Sequence, residues 1–276
     1  TDEGITGWGE CFGPGNVAIA NKGIVEKVIQ PMILGDDPLD RDVIWHKVYN
    51  LLRDHGQKGM SMQALSGVDI ALWDIAGKVA GLPLHKLIGG AHRKQVKAYG
   101  YGMMLKQQSV DDHVARFKDE AAAIIEMGFT ATKMKVGLGA RDDIRLCEAV
   151  AEGSGEADFM VDANHCYATP DAFYVGRALE ELGAYWFEEP VAPEDLDGYR
   201  ELRAGLRVNI SGGEAEFNRW GWRQILENRG LDIAQPEVCA VGGVSEYLRV
   251  LALCHAHFTP VINHVWGSAI AVATNL

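Results

Sequence analysis

Residues 131–137, ATKMKVG, place two lysines one residue apart in an otherwise apolar run that is typical of a short buried strand. Because side chains alternate between the two faces of a strand, Lys133 and Lys135 are predicted to share one face, while Met134 and Val136 take the other. Burying an unpaired ammonium group is costly, so such a pair persists where anions or a reaction require it. The rest of the chain must therefore supply those anions.

Short apolar strands of this kind recur from residue 96 onwards, and each is followed by an amphipathic helical segment. The sequence predicts seven strands, in VKAYGYG (96–102), TATKMKV, DFMVDAN, AYWFEEP, VNISGGE, DIAQPEV and FTPVINH (258–264). Alternating strand–helix units indicate a parallel sheet, and seven in succession suit a barrel better than a doubly wound sheet. After the first strand, Ser109 is the predicted N-cap of a helix that ends near Gly128.

The section before residue 93 has a different pattern. Residues 1–11 are predicted to form a strand and a turn, and a later helix is predicted between Ser61 as its cap and a stop at residues 81–83. Its apolar stripe consists of Leu65, Val68, Leu72, Ile75 and Val79. We therefore expect a small α+β domain over residues 1–92 and a barrel domain over residues 93–276.

The composition excludes several classes of function. A chain of 276 residues with 47% hydrophobic and 23% charged positions is typical of a globular protein. The net charge of −12 argues against nucleic acid as a partner. We expect no membrane partner and a cytoplasmic location, because no apolar run reaches the roughly 20 residues of a membrane span and the first residues do not form a signal peptide. The five scattered cysteines predict neither a disulfide framework nor a zinc cluster.

Polar residues interrupt the strands at intervals of 23 to 27 residues, each near the C-terminal end of its strand. They are Lys135, Asp162, Glu188, Glu214, Glu237 and His264. In a barrel of parallel strands these ends converge on one face, where active sites are built. The sequence therefore predicts a single ring of polar residues, in which the lysines meet their anions.

The ring contains three carboxylates, Asp162, Glu188 and Glu214, which form an oxygen-only set suited to a hard divalent cation, and Mg²⁺ is the natural choice. Such a cation can bind a substrate carboxylate and stabilise the charge that develops when the neighbouring carbon loses its proton. Two adjacent ammonium groups lower one another's pKa, so we expect Lys135 to act as a base. His264 is the predicted second acid/base residue, with Glu237 orienting its ring.

The motifs KMK (133–135), DANH (162–165), EEP (188–190), GGE (212–214), PE followed by GG (236–243) and His264 resemble the mandelate racemase subgroup of the enolase superfamily. The resemblance covers essentially the whole chain and implies a (β/α)7β barrel with an α+β capping domain. It implies Asp162, Glu188 and Glu214 as metal ligands and Lys135 as one base.

The same resemblance assigns the remaining site residues. It implies that Lys133 assists Lys135, that Asn164 lies near the substrate, and that His264 and Glu237 form the opposing dyad. His165, next to Asn164, either lines the site or packs beside it. Further motifs, including GWGECFGP, WFEEPV and HVWGS, are most similar to acid-sugar members, notably galactarolactone and anhydrogalactonate cycloisomerases.

The sequence leaves two assignments open, the choice between neighbouring metal ligands and the role of a polar loop. Glu189 and Glu216 are the alternative ligands to Glu188 and Glu214. A polar loop with His55, Gln57 and Lys58 either closes over the substrate or is solvated.

The chain departs from the family pattern at two points. The dyad usually has aspartate where this chain has Glu237, and the additional methylene is expected to shift the histidine or weaken its orientation. The chain also starts inside the capping domain and stops after the seventh strand, so an eighth strand and its acidic residue are absent. We therefore expect both domains to be truncated in this sequence.

These observations predict a magnesium-dependent enzyme that removes the α-proton of a carboxylate through an enediolate. The expected substrate is an acid sugar, an aldonate, an aldarate or its lactone, and the expected outcome is dehydration or cycloisomerisation. A racemase or epimerase of a hydroxy or amino carboxylate is the alternative. A metal-stabilised binding scaffold without catalysis is the alternative of another class, and a homo-oligomer is expected.

Overall fold

The computed structural model describes all residues, 1–276, and its sheet contains six parallel strands in the order β1 to β6. The strands are β1 (Gly100–Tyr101), β2 (Ala131–Lys135), β3 (Asp158–Asp162), β4 (Trp186–Glu188), β5 (Asn209–Gly212) and β6 (Ile233–Ala234). Each strand pairs with the next one along the chain, as successive strand–helix units predict.

The chain contains thirteen α-helices. They are α1 (Asn16–Ile24), α2 (Gln30–Ile33), α3 (Arg41–Leu52), α4 (Met60–Ala80), α5 (Leu84–Leu87), α6 (Val110–Glu126), α7 (Ala140–Ser154), α8 (Thr169–Leu182), α9 (Leu196–Gly205), α10 (Asn218–Asn228), α11 (Val238–Val241), α12 (Gly243–Ala256) and α13 (Ala269–Asn275), and a π-helical turn, Val25–Ile29, lies between α1 and α2. None of them combines the length and the apolar character that crossing a membrane requires.

The chain forms two compact units. The first comprises residues 1–94, 213–224 and 235–276, and the second comprises residues 95–212 and 225–234. The second unit contains the whole sheet. In the first unit, buried side chains such as Trp45 and Leu65 form an apolar core between helices α3 and α4.

The register of the sheet separates an apolar row from a polar row. Met134, Val161, Phe187 and Ile210 pair in register across β2 to β5, and all are fully buried. One residue further along, a polar row pairs in the same way and consists of Lys135, Asp162, Glu188 and Ser211. Because neighbouring residues on a strand point to opposite faces, the predicted alternation around ATKMKVG holds across four strands.

The predicted seventh strand is not formed. Residues 258–264 contain only an isolated bridge, at Val261. Phe258 has a left-handed backbone with φ 56°, and Pro260 has no N–H to donate to a neighbouring strand, so this segment makes a poor ladder. The strand predicted over residues 96–102 is also shortened, to Gly100–Tyr101.

The first section contains helices but no strand, so residues 1–11 do not form the predicted strand. The predicted helix end at Gly81 is confirmed, because Gly81 has φ 65° and caps α4 in the left-handed conformation. The cap predicted at Ser61 is wrong, since α4 begins one residue earlier and Gly59 is its N-cap. Ser109 caps α6 as predicted, and its hydroxyl accepts a hydrogen bond from the Asp112 N–H at 3.1 Å.

Candidate active site

The lysine pair of β2 meets its anions inside the sheet. Lys133 Nζ lies 3.1 Å from Asp162 Oδ2 and 2.5 Å from Glu188 Oε1. Lys135 Nζ forms a second ion pair with the same Asp162 oxygen. Asp162 is fully buried and Glu188 is almost so, and therefore these charges interact in a medium that screens them weakly.

The charges in this cluster shift the pKa of three groups. Burial lowers the pKa of Lys133, but the attraction of Glu188 and Asp162 outweighs burial and raises that pKa above its usual value. Burial raises the pKa of Asp162, yet the two lysines hold it below its usual range. Burial raises the pKa of Glu188. The charge of Lys133 offsets only part of this rise, and the like charge of Asp162 raises the pKa further.

The expectation that the two lysines lower one another's pKa is therefore wrong for Lys133. The attraction of the Glu188 and Asp162 carboxylates raises the pKa of this ammonium group by more than burial lowers it. Lys133 is a permanently charged residue at neutral pH.

Aromatic rings accompany the lysines, and the sequence analysis did not predict them. Tyr99 and Tyr101, at the start of the sheet, place their ring centroids 6.0 and 5.6 Å from Lys133 Nζ. The indole Nε1 of Trp186 donates a hydrogen bond to Glu188 Oε2 at 2.9 Å. Tyr99 and Tyr101 are two positions apart, as Lys133 and Lys135 are, and this spacing was the signal in the sequence.

Asp162 and Glu188 fit a cation. One oxygen of each carboxylate already converges on the Lys133 ammonium group, so the two side chains face a common point. Glu214 follows β5 two residues after Gly212, and β5 is the strand next to β4. Asp162, Glu188 and Glu214 thus come from three consecutive strands, and an all-carboxylate set is the type that hard divalent cations prefer.

The first unit carries the predicted histidine dyad. His264 Nδ1 lies 2.9 Å from Glu237 Oε2, and His264 Nε2 lies 3.1 Å from Glu214 Oε2. An imidazolium ring satisfies both carboxylates, because each nitrogen of the protonated ring donates a hydrogen. The extra methylene of Glu237 does not separate the pair, since its side chain folds back and also accepts a hydrogen bond from the Cys239 N–H.

Asn164 and His165 lie directly after β3, in a strained turn. Both have left-handed backbones, with φ 40° and 68°, as does Glu189 with φ 44°. His165 Nε2 lies 3.0 Å from Glu189 Oε2, and the Asn164 amide approaches the same carboxylate at 3.5 Å. Three such residues in contact point to a site where the backbone geometry serves a function.

The alternative ligands Glu189 and Glu216 have other neighbours. Glu189 interacts with His165, as described above. Glu216 is buried and forms an ion pair with Lys58 at 2.6 Å, and Asn218 Nδ2 donates to the Gln57 carbonyl at 2.8 Å. The polar loop of the first section is therefore attached to the segment that follows Glu214.

A cavity of about 410 Å³ lies elsewhere, at the opposite ends of the strands. Arg200, Arg203, Arg229 and Asp232 are among its lining residues, and Asp232 directly precedes β6. Polar residues at this end of a parallel sheet are remote from the C-terminal ends where barrel active sites lie. The cavity is not part of the candidate site.

Comparisons with known sequences agree with this geometry. Residues 1–89 match the mandelate racemase / muconate lactonizing enzyme N-terminal domain, and residues 116–276 match the enolase C-terminal domain-like family. The D-galactarolactone cycloisomerase of Agrobacterium fabrum is 41% identical over 279 residues, covering 100% of this chain and 71% of that protein. The arabinonate dehydratase of Saccharolobus solfataricus is 35% identical, covering 100% of this chain and 73% of that protein.

Solved structures show the same relationship. The 3,6-anhydro-D-galactonate cycloisomerase of Zobellia galactanivorans has a TM-score of 0.90 and 35% identity, covering 99% of this chain and 75% of that one. A racemase from Streptomyces coelicolor A3(2) with bound magnesium has a TM-score of 0.91 and 30% identity, covering 100% of this chain and 76% of that one. Together with the carboxylates at the ends of β3 and β4 and after β5, this relationship indicates a metal site. The chain belongs to the enolase superfamily, within its mandelate racemase and muconate lactonizing enzyme group, and it matches both the N-terminal and the C-terminal domain of that family.

Proposed function

We propose that this protein removes the proton next to the carboxylate of an acid sugar, with Mg²⁺ as cofactor and with Lys135 and His264 as its acid/base residues. The observation that carries the proposal is the shared face of β2, where both lysine ammonium groups meet the buried carboxylates of Asp162 and Glu188. A structural role alone would not require four charged side chains within the sheet, because burying them is costly.

The proposal assigns Asp162, Glu188 and Glu214 as ligands of the cation. When bound, Mg²⁺ would neutralise the negative charge that develops on the substrate carboxylate. The support for magnesium is the oxygen-only chemistry of the three side chains and the bound magnesium of the Streptomyces racemase.

The lysines have separate roles in this reaction. Lys133 stays protonated, since its pKa is raised, and its charge helps to stabilise negative charge on the substrate. Lys135 is half-buried and exchanges a proton with the carbon next to the carboxylate. Asn164 and His165 are proposed to contact the substrate oxygens.

Glu237 and His264 are proposed as the second acid/base pair. Glu237 holds the His264 ring through Nδ1, and Nε2, which lies 3.1 Å from Glu214 Oε2, is the nitrogen proposed to give or take a proton. Loss of a β-hydroxyl after proton removal gives dehydration, and opening of a ring gives cycloisomerisation. We rank these two outcomes first because the similar proteins from Agrobacterium and Saccharolobus carry those names. Return of the proton to the other side gives epimerisation, which remains the second candidate because of the Streptomyces racemase.

The test follows the α-proton by NMR in D₂O with Mg²⁺. Substrates to compare are galactarolactone, galactarate, talarate, arabinonate, galactonate and xylonate. We expect loss of the α-proton signal from at least one of them, and a decrease of about 100-fold or more in Lys135→Ala and in His264→Asn. Lys97→Ala is the matched control, because Lys97 is exposed and pairs with Asp158 at the other end of β3.

Calorimetry with Mg²⁺ distinguishes the remaining outcomes. Magnesium binding that is lost in Asp162→Asn but kept in Asp158→Asn would support the ligand assignment. Tight metal binding without exchange of any substrate proton would overturn the enzymatic proposal and favour a metal-stabilised scaffold. The cytoplasmic location, the homo-oligomer and the domain division at residues 92–93 stay predictions.

A further inference from the structure

His264 lies in a segment that the sheet does not hold. Residues 262–267 contain neither helix nor strand, and the predicted strand that would have supported them is absent. Glu237 contacts the imidazole ring and, more weakly, the Trp266 N–H at 3.3 Å. A reactive histidine needs a fixed orientation, so the segment must be supported by other residues.

Glu10, near the start of the first section, supplies that support. Its Oε1 accepts a hydrogen bond from the Ser268 N–H at 2.9 Å. Its Oε2 accepts one from the Ser268 hydroxyl at 2.6 Å and one from the Ala271 N–H at 3.0 Å. Both carboxylate oxygens are therefore engaged at the first turn of α13, where a negative charge is also favoured by the helix dipole.

The close approach of Glu10 requires glycine at position 267. A Cβ atom built on Gly267 would lie 2.5 Å from Glu10 Oε1 and 2.8 Å from the Ala271 Cβ. Any larger side chain there would displace the carboxylate or the segment that carries His264.

Phe12, two residues after Glu10, contacts the same segment through its aromatic ring. Its ring meets the His264 ring edge-on with centroids 5.8 Å apart, and it meets the Trp266 ring in the same way at 5.7 Å. The Phe12 N–H donates to the Cys239 carbonyl at 2.9 Å, two residues after Glu237. Residues 10–12 thus contact the His264 ring, the helix that follows it and the segment that follows Glu237.

We propose that Glu10 is a positioning residue for His264: its carboxylate, with the Phe12 ring, orients the imidazole through Ser268 and α13. The inference rests on the proposed function only for its catalytic consequence, because the orientation of the ring can be measured without a substrate. A glutamine at position 10 would keep one acceptor and turn an NH₂ group toward backbone donors, which breaks at least one of the three hydrogen bonds.

The first experiment observes His264 directly. Protein labelled with ¹⁵N-histidine is titrated by NMR, and the His264 signals are assigned with His264→Asn. We expect the ring shifts and the titration midpoint of His264 to move in Glu10→Gln and to stay unchanged in Glu3→Gln, an exposed glutamate of the same segment. Ser268→Ala removes the hydroxyl contact with Glu10 and the cap hydrogen bond from the Ile270 N–H, but keeps both backbone contacts of Glu10. We expect it to show a smaller change in the same direction. Superimposable His264 titrations in wild type and Glu10→Gln would overturn the inference.

The second experiment applies once a substrate is known. We expect Glu10→Gln to lower kcat about 10- to 100-fold and to shift the limb of the pH profile that His264→Asn abolishes, with KM changed less than kcat. Circular dichroism shows whether the variant is folded. A folded Glu10→Gln protein with an unchanged pH profile would contradict the positioning role, whereas a wild-type protein without any activity would contradict the proposed function alone.

Discussion

Asp143 is the residue on which the turn after Lys135 depends. Its carboxylate accepts hydrogen bonds from the N–H groups of Gly137, Leu138 and Gly139 at 2.9, 2.9 and 3.0 Å. It also accepts one from the Tyr167 hydroxyl at 2.7 Å, and it is fully buried. Gly139, the N-cap of α7, has no side chain to cap the helix, so Asp143 performs that task from inside the helix.

We expect Asp143→Ala to destabilise the protein by roughly 3 kcal/mol or more, because it leaves three backbone donors and a hydroxyl without their acceptor. Tyr167→Phe removes one of these bonds and should cost about 1 kcal/mol. Urea unfolding measures both. Asp142→Ala is the control, since Asp142 is 44% exposed and its ion pair with Arg145 spans 3.8 Å. Equal losses for Asp142 and Asp143 would contradict this account of the turn.

At the scale of elements, α6 and α7 pack closely because of one glycine. A Cβ atom on Gly153, in α7, would lie 2.3 Å from the Lys118 carbonyl oxygen and 3.0 Å from the Ala121 Cβ, both in α6. The contact is with backbone, which cannot move away without shifting the helix.

Gly153→Ala should therefore lower the free energy of unfolding by about 1–3 kcal/mol, although alanine is the better helix former. Gly23→Ala is the matched comparison, since Gly23 lies in α1 with nothing within 4 Å of its would-be Cβ. It should be neutral or stabilise by up to about 1 kcal/mol. Thermal or urea unfolding measures the stability of both variants. A change of the same sign in both would rule out overpacking as the cause of the effect in Gly153→Ala.

At the scale of the whole molecule, Asp69 joins parts of the first unit that lie 176 residues apart in the sequence. Asp69, in α4, accepts hydrogen bonds from the Ser245 N–H at 2.9 Å and the Ser245 hydroxyl at 2.6 Å, at the start of α12. Burial raises the pKa of Asp69 to about 7, and the bonds from Ser245 and the charges of Arg249 and Arg41 offset burial only in part.

The sign of the effect on stability follows from this shift. The folded protein holds the Asp69 proton up to about pH 7, whereas an unfolded chain releases it near pH 4. The folded state therefore binds more protons between these values, and stability falls as the pH rises through this window. Above about pH 7 Asp69 is ionised in both states, and stability no longer changes with pH through this residue.

We expect the wild-type protein to lose about 2–3 kcal/mol of unfolding free energy relative to Asp69→Asn when the pH is raised from 5 to 8. Urea unfolding at the two pH values gives the difference directly. Asp54→Asn serves as the control, because Asp54 is exposed in the turn after α3. A constant gap between wild type and Asp69→Asn at both pH values would show that Asp69 does not titrate in this range.

Much of the fold could be predicted from local patterns. The alternation in ATKMKVG correctly placed Lys133 and Lys135 on one face, and Ser109 and Gly81 marked helix ends, because strand period, caps and left-handed glycines depend on neighbouring residues alone. The types and order of the charged residues at the strand ends were equally readable. The family resemblance rested on these same motifs.

Only the tertiary structure decided which charges meet and what supports them. The raised pKa of Lys133 depends on distances to Glu188 and Asp162. The seventh strand depends on a ladder of hydrogen bonds that residues 258–264 do not form beyond the isolated bridge at Val261. The contact of Glu10 with Ser268 joins residues 258 positions apart. Periodicity reports the surroundings of a residue along the chain, whereas electrostatic and packing energies depend on atoms that folding brings together, and these have no fixed spacing in the sequence.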